Sequence, residues 1–199
     1  MKWIGLTGGI ATGKSSVAQV LREMGYPVVD ADELAREVVK PGSLGLEKVV
    51  LAFGRGILDE KGHLSRPTLG QIIFKDPVAR EKLEQILHPL IQEMRAKLRS
   101  ELERESIDLA FYDVPLLFEK NMHDEFDATV LVYAKPSIQK QRLAERNKFS
   151  DKEIELRLAS QLPIDEKVKR ANYIIFNEAT LKDLKGAVLA VVNDILSGT

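Results

Sequence analysis

With 199 residues, of which 44% are hydrophobic and 30% charged, the chain is long enough to bury one substantial core and has the composition of an ordinary globular protein. Its formal net charge of −1 gives no overall field to attract nucleic acid or a membrane surface, so an anionic ligand must be met by locally placed cations. The absence of cysteine excludes disulfides and thiolate zinc sites, and the lack of a signal-peptide pattern or of an apolar run near the roughly 18 residues of a membrane span predicts a cytoplasmic protein.

The first predicted elements are a strand at residues 3–7 and a helix whose apolar positions from Val17 to Met24 have helical spacing. Between them stands Gly8-x-x-x-x-Gly13-Lys14-Ser15, the complete pattern of a phosphate-binding loop in the strand-to-helix context that this pattern requires. We expect Lys14 to reach the β- and γ-phosphates of a nucleoside triphosphate and the Ser15 hydroxyl to bind Mg²⁺.

Backbone N–H groups of the same loop and of the helix N-terminus should hold the phosphates. The residues expected to bind the nucleotide in this way are Gly8, Gly9, Ala11, Thr12, Gly13, Lys14, Ser15 and Ser16. Because alanine does not readily adopt a positive φ, we expect the loop to avoid one at Ala11.

A second short strand at residues 27–30 ends at Asp30, and Asp32 lies two residues further on, at the edge of a parallel sheet where ligands bind. Asp30 with Glu33 three residues later also resembles a capping box, which would explain Asp30 as the start of a helix. Asp32 is redundant for capping, and a carboxylate near a triphosphate repels it. Accepting a proton from an acceptor hydroxyl, or helping to hold Mg²⁺, would explain why it is there.

Residues 31–108 contain helical patterns but no convincing strand, which is too much chain for one crossover connection. We therefore expect a helical lobe beside the sheet. Asp76 and Pro77 mark the start of its longest helix. His88 lies within that helix, where a lone histidine is more often structural, although its imidazole could also line a pocket for the phosphate acceptor.

The apolar strand at residues 109–114 places Asp113 near its end, as in a strand whose aspartate holds Mg²⁺; a turn-capping role before Pro115 is the alternative. After a strand at residues 129–133, Arg142 and Arg146 lie four apart on one helical face. Such a pair is usually a solvated face, but arginines at the base of a mobile lid would bring positive charge to the transferred phosphate on closure.

A polar, charged insertion follows at about residues 148–170 and opens with the capping box Ser150-x-x-Glu153, which predicts a small helical lid. Near its end we expect Lys167, Lys169 and Arg170 to be solvated. The stretch that begins at Asn147 resembles the guanine-reading Asn-Lys-x-Asp motif but has serine in place of the aspartate, and we interpret it as a chance match.

The final elements are a strand at residues 173–176 and a helix opened by Thr180 and Asp183. Five short buried strands that alternate with helices predict an α/β fold, a parallel sheet with helices on both faces.

A series of ordered motifs resembles the dephospho-CoA kinase family over nearly the whole chain. The motifs are "IGLTGGIATGKSSVA", "VVDADELAREVV", "LSRPTLGQIIF", "LHPLI", "DVPLLFE" and "QKQRLAERN". The resemblance implies a P-loop NTPase fold related to the nucleoside-monophosphate kinases, with a five-stranded parallel sheet. It divides the single domain into a core (1–30, 108–147 and 171–199), a helical CoA-binding lobe (about 33–107) and a lid (about 148–170).

The same resemblance implies that ATP, with Mg²⁺, phosphorylates the ribose 3′-hydroxyl of dephospho-CoA. It makes Asp32 the base for that hydroxyl, brings Arg142 to the phosphates and places Arg146 with the ATP-binding residues. It also assigns Arg66 and His88 to the acceptor pocket. We expect ATP and dephospho-CoA as the only partners, with no nucleic acid, membrane or obligate protein partner. The alternatives are a small kinase for another acceptor, such as a nucleoside monophosphate or shikimate, and a regulatory nucleotide switch.

Overall fold

The computed structural model describes residues 1–198, which form a five-stranded sheet and nine α-helices. The strands are β1 (Lys2–Gly8), β2 (Val28–Asp30), β3 (Leu109–Asp113), β4 (Ala128–Tyr133) and β5 (Tyr173–Phe176). The helices are α1 (Lys14–Glu23), α2 (Ala31–Glu37), α3 (Leu44–Phe53), α4 (Arg66–Lys75), α5 (Pro77–Arg104), α6 (Pro136–Asn147), α7 (Asp151–Ala159), α8 (Ile164–Val168) and α9 (Leu181–Ser197).

All neighbouring strands are parallel, in the spatial order β2-β3-β1-β4-β5. The predicted α/β class and five-stranded parallel sheet are therefore confirmed. β1 lies at the centre and is buried along almost its whole length, because the central strand of a parallel sheet is covered on both faces. The carboxyl ends of β1 and β3 are adjacent, since Leu6 is paired with Asp113. This register brings the loop after β1 and the end of β3 to the same edge.

The chain divides into two compact units. The first comprises Met1–Asp30 and Ile107–Thr199, and the second comprises Ala31–Ser106. The first unit contains the sheet, whose core includes apolar residues of β1, β3 and β4 and of the helices α1 and α9. Burial of these side chains is the main force that stabilises the unit.

The second unit is helical throughout, apart from a short 3₁₀ turn and one isolated bridge. The side chain of Ser43 caps α3, that of Ser65 caps α4 and that of Asp76 caps α5, which supplies partners for backbone N–H groups at the helix starts. The 28 residues of α5 continue through Pro89 without interruption. This unit has its own apolar core between α3, α4 and α5. None of the described helices is both long enough and apolar enough to cross a membrane.

Candidate active site

The phosphate-binding loop joins the end of β1 to the start of α1, as the sequence predicts. Its turn is closed by two hydrogen bonds to the Gly9 carbonyl, one from the Thr12 backbone N–H at 3.3 Å and one from the Thr12 hydroxyl at 2.9 Å. Thr12 is completely buried, and a Cβ at Gly8 would lie 2.6 Å from its hydroxyl oxygen. The glycine at position 8 therefore leaves room for the threonine that closes the turn.

Ala11 has φ +59°, so the expectation that the loop avoids a positive φ at this residue is wrong. The left-handed conformation costs an L-residue roughly 1–2 kcal/mol, an amount that the surrounding hydrogen bonds can offset. The carbonyl of Ala11 accepts one such bond from Arg142 at 3.3 Å. The geometry of the loop is thus set by contacts with distant parts of the core and not by the local preference of alanine.

Lys14 forms an ion pair with Asp113, the last residue of β3. The Asp113 side chain is almost fully buried, while that of Lys14 is one-fifth exposed. Burial raises the pKa of Asp113, the nearby ammonium group of Lys14 opposes that rise, and the Asp30 carboxylate adds to it. The sheet register explains the arrangement, because Asp30 at the end of β2 is paired with Asp113.

Two serines follow Lys14 in the first turn of α1. Ser15 is exposed at the protein surface, and Ser16 is half-buried and donates its backbone N–H to the Gly13 carbonyl at 2.9 Å. An exposed hydroxyl directly after the loop lysine is available to a bound ligand. The donor set near the loop thus includes one hydroxyl and one strand-end carboxylate, Asp113, both of which are oxygen ligands suited to Mg²⁺.

Arg142 in α6 contacts the phosphate loop through the backbone carbonyls of that loop. Its guanidinium group donates to the carbonyls of Ala11 and Thr12, each at 3.3 Å, and to the carbonyl of Asn177 at 2.8 Å. This arginine is half-buried and touches the loop without any movement of the predicted lid. Arg146, one turn further along α6, is exposed.

Three candidate residues lie in the second unit. Asp32 is exposed in the first turn of α2, close in sequence to the end of β2. Arg66 is the exposed first residue of α4, directly after the capping residue Ser65. His88 is exposed on α5. All three candidate side chains are therefore accessible to solvent, and hence to a ligand.

Lys167 differs from the sequence-based expectation, because its side chain is completely buried and not solvated. It forms an ion pair with Glu119 at 2.8 Å and points its ammonium group at the Gly8 carbonyl, 3.5 Å away. A buried charge of this kind requires a partner, and Glu119 supplies it. Lys169 and Arg170 are exposed as expected.

Asn177, which follows β5, is the residue at the loop that the sequence reasoning missed. Its side chain is buried and donates to the Thr12 carbonyl at 2.8 Å. The available signal was its position: a polar residue directly after a predicted buried strand, at the same edge of the sheet as the phosphate loop.

A glycine-rich loop at the end of a central parallel strand, with its lysine paired to a strand-end aspartate, defines a P-loop protein that binds a nucleoside triphosphate. The sequence model of the family described as "Dephospho-CoA kinase" matches residues 2–183 of this chain. The chain belongs to the dephospho-CoA kinase family.

Individual relatives agree with this assignment. A protein from Bdellovibrio bacteriovorus named dephospho-CoA kinase is 50% identical over 177 residues, which cover 89% of this chain and 88% of that protein. The solved structure of a dephospho-CoA kinase from Campylobacter jejuni is similar with a TM-score of 0.74 and 28% identity, over 98% of each chain. A solved structure of a Thermus thermophilus protein has a TM-score of 0.80 and 36% identity, over 97% of each chain.

Proposed function

We propose that this chain transfers the γ-phosphoryl group of ATP to the ribose 3′-hydroxyl of dephospho-CoA, which produces coenzyme A and ADP. The observation that carries the proposal is the phosphate loop with its Lys14–Asp113 pair at the carboxyl edge of the sheet, in a chain of the dephospho-CoA kinase family. The family accounts for the acceptor, and the loop accounts for ATP.

Lys14 and Asp113 define the electrostatic state of the site before ATP binds. Lys14 is the first residue of α1, directly after the loop, and its ammonium group is paired with the buried Asp113 carboxylate. When the triphosphate enters, Lys14 turns to the β- and γ-phosphates, which carry more negative charge than one carboxylate. Asp113 then loses its cation, so a second positive charge has to replace Lys14 beside it.

Mg²⁺ supplies that charge when bound, and it neutralises the phosphates during transfer. Ser15 and Asp113 are the residues that would hold it. Among residues 1–198, no group of three or more histidine or acidic side chains is arranged to hold a metal ion by itself. This fits Mg²⁺, which is usually bound by one or two carboxylates together with substrate phosphates.

Backbone N–H groups of the loop, among them those of Gly13, Lys14 and Ser15, hold the phosphates. Arg142, bound to the carbonyls of the same loop, and Arg146, one turn further along α6, add positive charge on that side of the site. We assign residues 148–170, which include α7 and α8, to a lid that excludes water during transfer. The second unit is the CoA-binding lobe in this proposal. Arg66 and His88 contact the acceptor there.

Asp32 accepts the proton of the 3′-hydroxyl as that oxygen attacks the γ-phosphorus. The bond between the γ-phosphorus and the β-γ bridging oxygen breaks, and ADP leaves with the bridging oxygen. The exposed carboxylate on α2 is able to receive a proton from a bound ligand. General base catalysis of this kind contributes on the order of 10²–10⁴ to the rate, whereas positioning of the hydroxyl in line with the phosphate supplies a larger share.

The variant Asp32→Asn tests this assignment, with Glu33→Gln as a matched control in the same turn of α2. We expect Asp32→Asn to lower kcat for dephospho-CoA by roughly 10²–10⁴ and to leave KM for ATP within about threefold of wild type, because the amide keeps the shape but accepts no proton. Glu33→Gln should retain kcat. An equal loss of turnover and ATP binding in Asp32→Asn would assign Asp32 to metal binding or to structure.

A further inference from the structure

Side chains from other elements donate hydrogen bonds to carbonyl groups of the phosphate loop. Arg142 donates to the carbonyls of Ala11 and Thr12, and Asn177 donates to that of Thr12 at 2.8 Å. A loop that binds an anion must turn N–H groups toward it, so the opposite carbonyls need donors on the outer side. The distribution of donors around Ala11 and Thr12 meets this requirement.

Asn177 is fixed at both its backbone and its side chain. Its N–H donates to the Tyr133 carbonyl at 2.8 Å, which extends the pairing of β4 and β5 by one residue. Its own carbonyl accepts from Arg142 at 2.8 Å. The residue is only 9% exposed, so its side-chain amide has little freedom to turn away from Thr12.

The side chain of Asn177 also packs against Gly13. A Cβ at position 13 would clash with the Asn177 side-chain nitrogen, and Gly13 has φ +87°, a conformation that favours glycine. The peptide between Thr12 and Gly13 is therefore constrained on both sides. The Thr12 carbonyl is held by hydrogen bonds, and the Gly13 Cα is in close contact with the Asn177 side chain.

We propose that Asn177 is a positioning residue that orients the Thr12–Gly13 peptide for phosphate binding. In a trans peptide the carbonyl and the N–H point in opposite directions, so a side chain that holds the Thr12 carbonyl outward directs the Gly13 N–H to the inner, phosphate-binding side. The inference rests on the proposed function only in taking ATP as the ligand of the loop. It concerns nucleotide binding and is independent of the acceptor.

Asn172 provides a matched control, because the two asparagines flank β5 at its opposite ends. The Asn172 side-chain oxygen accepts hydrogen bonds from the backbone N–H and the hydroxyl of Thr129, at 2.8 and 2.9 Å. Each asparagine thus joins β5 to a backbone group of another segment, but only Asn177 contacts the phosphate loop. Asn172→Ala removes two hydrogen bonds of similar length without touching the loop.

Isothermal titration of the folded protein with ADP and Mg²⁺ tests the proposal without any acceptor. We expect Asn177→Ala to weaken ADP binding about tenfold, since the Thr12 carbonyl loses its best donor. Asn177→Asp keeps the shape of the side chain but presents a second acceptor to that carbonyl and adds negative charge, so we expect a loss of roughly a hundredfold. Asn172→Ala should lower the melting temperature and leave ADP affinity within about twofold of wild type.

The relative affinity for ADP and GDP separates positioning from direct contact with the base. A positioning role weakens the binding of both nucleotides by the same factor, so their ratio stays as in wild type. A changed ratio in Asn177→Ala would place Asn177 at the base and overturn the proposal. Equal losses of ADP affinity in Asn177→Ala and Asn172→Ala would also overturn it, because they would show a general effect on β5.

Two further outcomes are distinguishable. If Asn177→Asp does not fold, the comparison of Asn177→Ala with Asn172→Ala decides the question alone. If the wild-type protein binds ADP but does not phosphorylate dephospho-CoA, the proposed function fails while the binding measurements still test Asn177. Wild-type ADP affinity in Asn177→Ala overturns the proposal whichever acceptor the enzyme uses.

Discussion

Replacing Lys167 with methionine should destabilise the protein by about 3 kcal/mol, because the change leaves the Glu119 carboxylate without its cation. The Lys167 side chain is completely buried, and the Glu119 side chain is 19% exposed. One Glu119 oxygen also accepts from the Leu162 N–H at 3.0 Å, whereas the other is buried without a hydrogen-bond partner among the described residues. Because that oxygen has no hydrogen bond to offset its burial, the negative charge of Glu119 is stabilised mainly by the ammonium group of Lys167.

The magnitude follows from the exposure of the pair. Removal of one partner from a buried ion pair costs about 3–5 kcal/mol, and the partial exposure of Glu119 places this pair at the lower end. For a chain of this size, each kcal/mol changes Tm by about 2–4 °C, so Lys167→Met should lower Tm by roughly 6–12 °C. The double variant Lys167→Met/Glu119→Gln should recover much of the loss, because it buries no unpaired charge.

Urea and thermal unfolding, followed by circular dichroism, measure these differences. Lys169→Met is the matched control. Lys169 lies two positions after Lys167 and pairs with Glu166 at the protein surface, where ion pairs contribute little to stability. A loss below about 1 kcal/mol in Lys167→Met would show that Glu119 does not depend on the charge of Lys167. A double variant as unstable as the sum of the two single variants would show that the two side chains are not coupled.

Three other changes have defined outcomes. Lys14→Ala should abolish turnover and leave a folded protein by circular dichroism, because it removes the cation for the β- and γ-phosphates. Ala11→Gly should raise the free energy of unfolding by about 0.5–1 kcal/mol because Ala11 has a positive φ, whereas Ala190→Gly, in the exposed part of α9, should lower it by about 1 kcal/mol; urea unfolding measures both. Hydrogen bonds from Thr180 lower the pKa of Asp183 below its usual 3.8, so the stability that Asp183 contributes is present above that pH and is lost as the pH falls through the lowered pKa. An NMR titration should show the pKa returning toward 3.8 in Thr180→Ala.

Features of the fold that depend on neighbouring residues could be predicted from the sequence. The five strands lie within about one residue of their predicted positions, because buried parallel strands form short apolar runs that need no distant information. The caps of α7 and α9 were predicted for the same reason, since Ser150 and Thr180 bond to residues three positions later. The phosphate loop could be predicted because all the residues of its motif lie within Gly8–Ser16.

Other features depend on residues far apart in the chain. Asn177 bonds to a carbonyl 165 positions away, and Lys167 is buried against Gly8 and Glu119, so neither role could be deduced from local pattern. A lysine in a polar segment is usually solvated, and only the fold shows that this one is not. The conformation of Ala11 was mispredicted because long-range hydrogen bonds outweighed the intrinsic preference of alanine.

The choice of acceptor distinguishes phosphorylation of dephospho-CoA from the alternative activities. ADP release should be measured with ATP and Mg²⁺ against dephospho-CoA, AMP, UMP, shikimate and pantothenate, and without acceptor, with the product of each reaction identified. We expect turnover with dephospho-CoA alone and a product phosphorylated at the ribose 3′-hydroxyl. Turnover with another acceptor in preference to dephospho-CoA, or slow hydrolysis that does not depend on the acceptor, would rule out the proposed function.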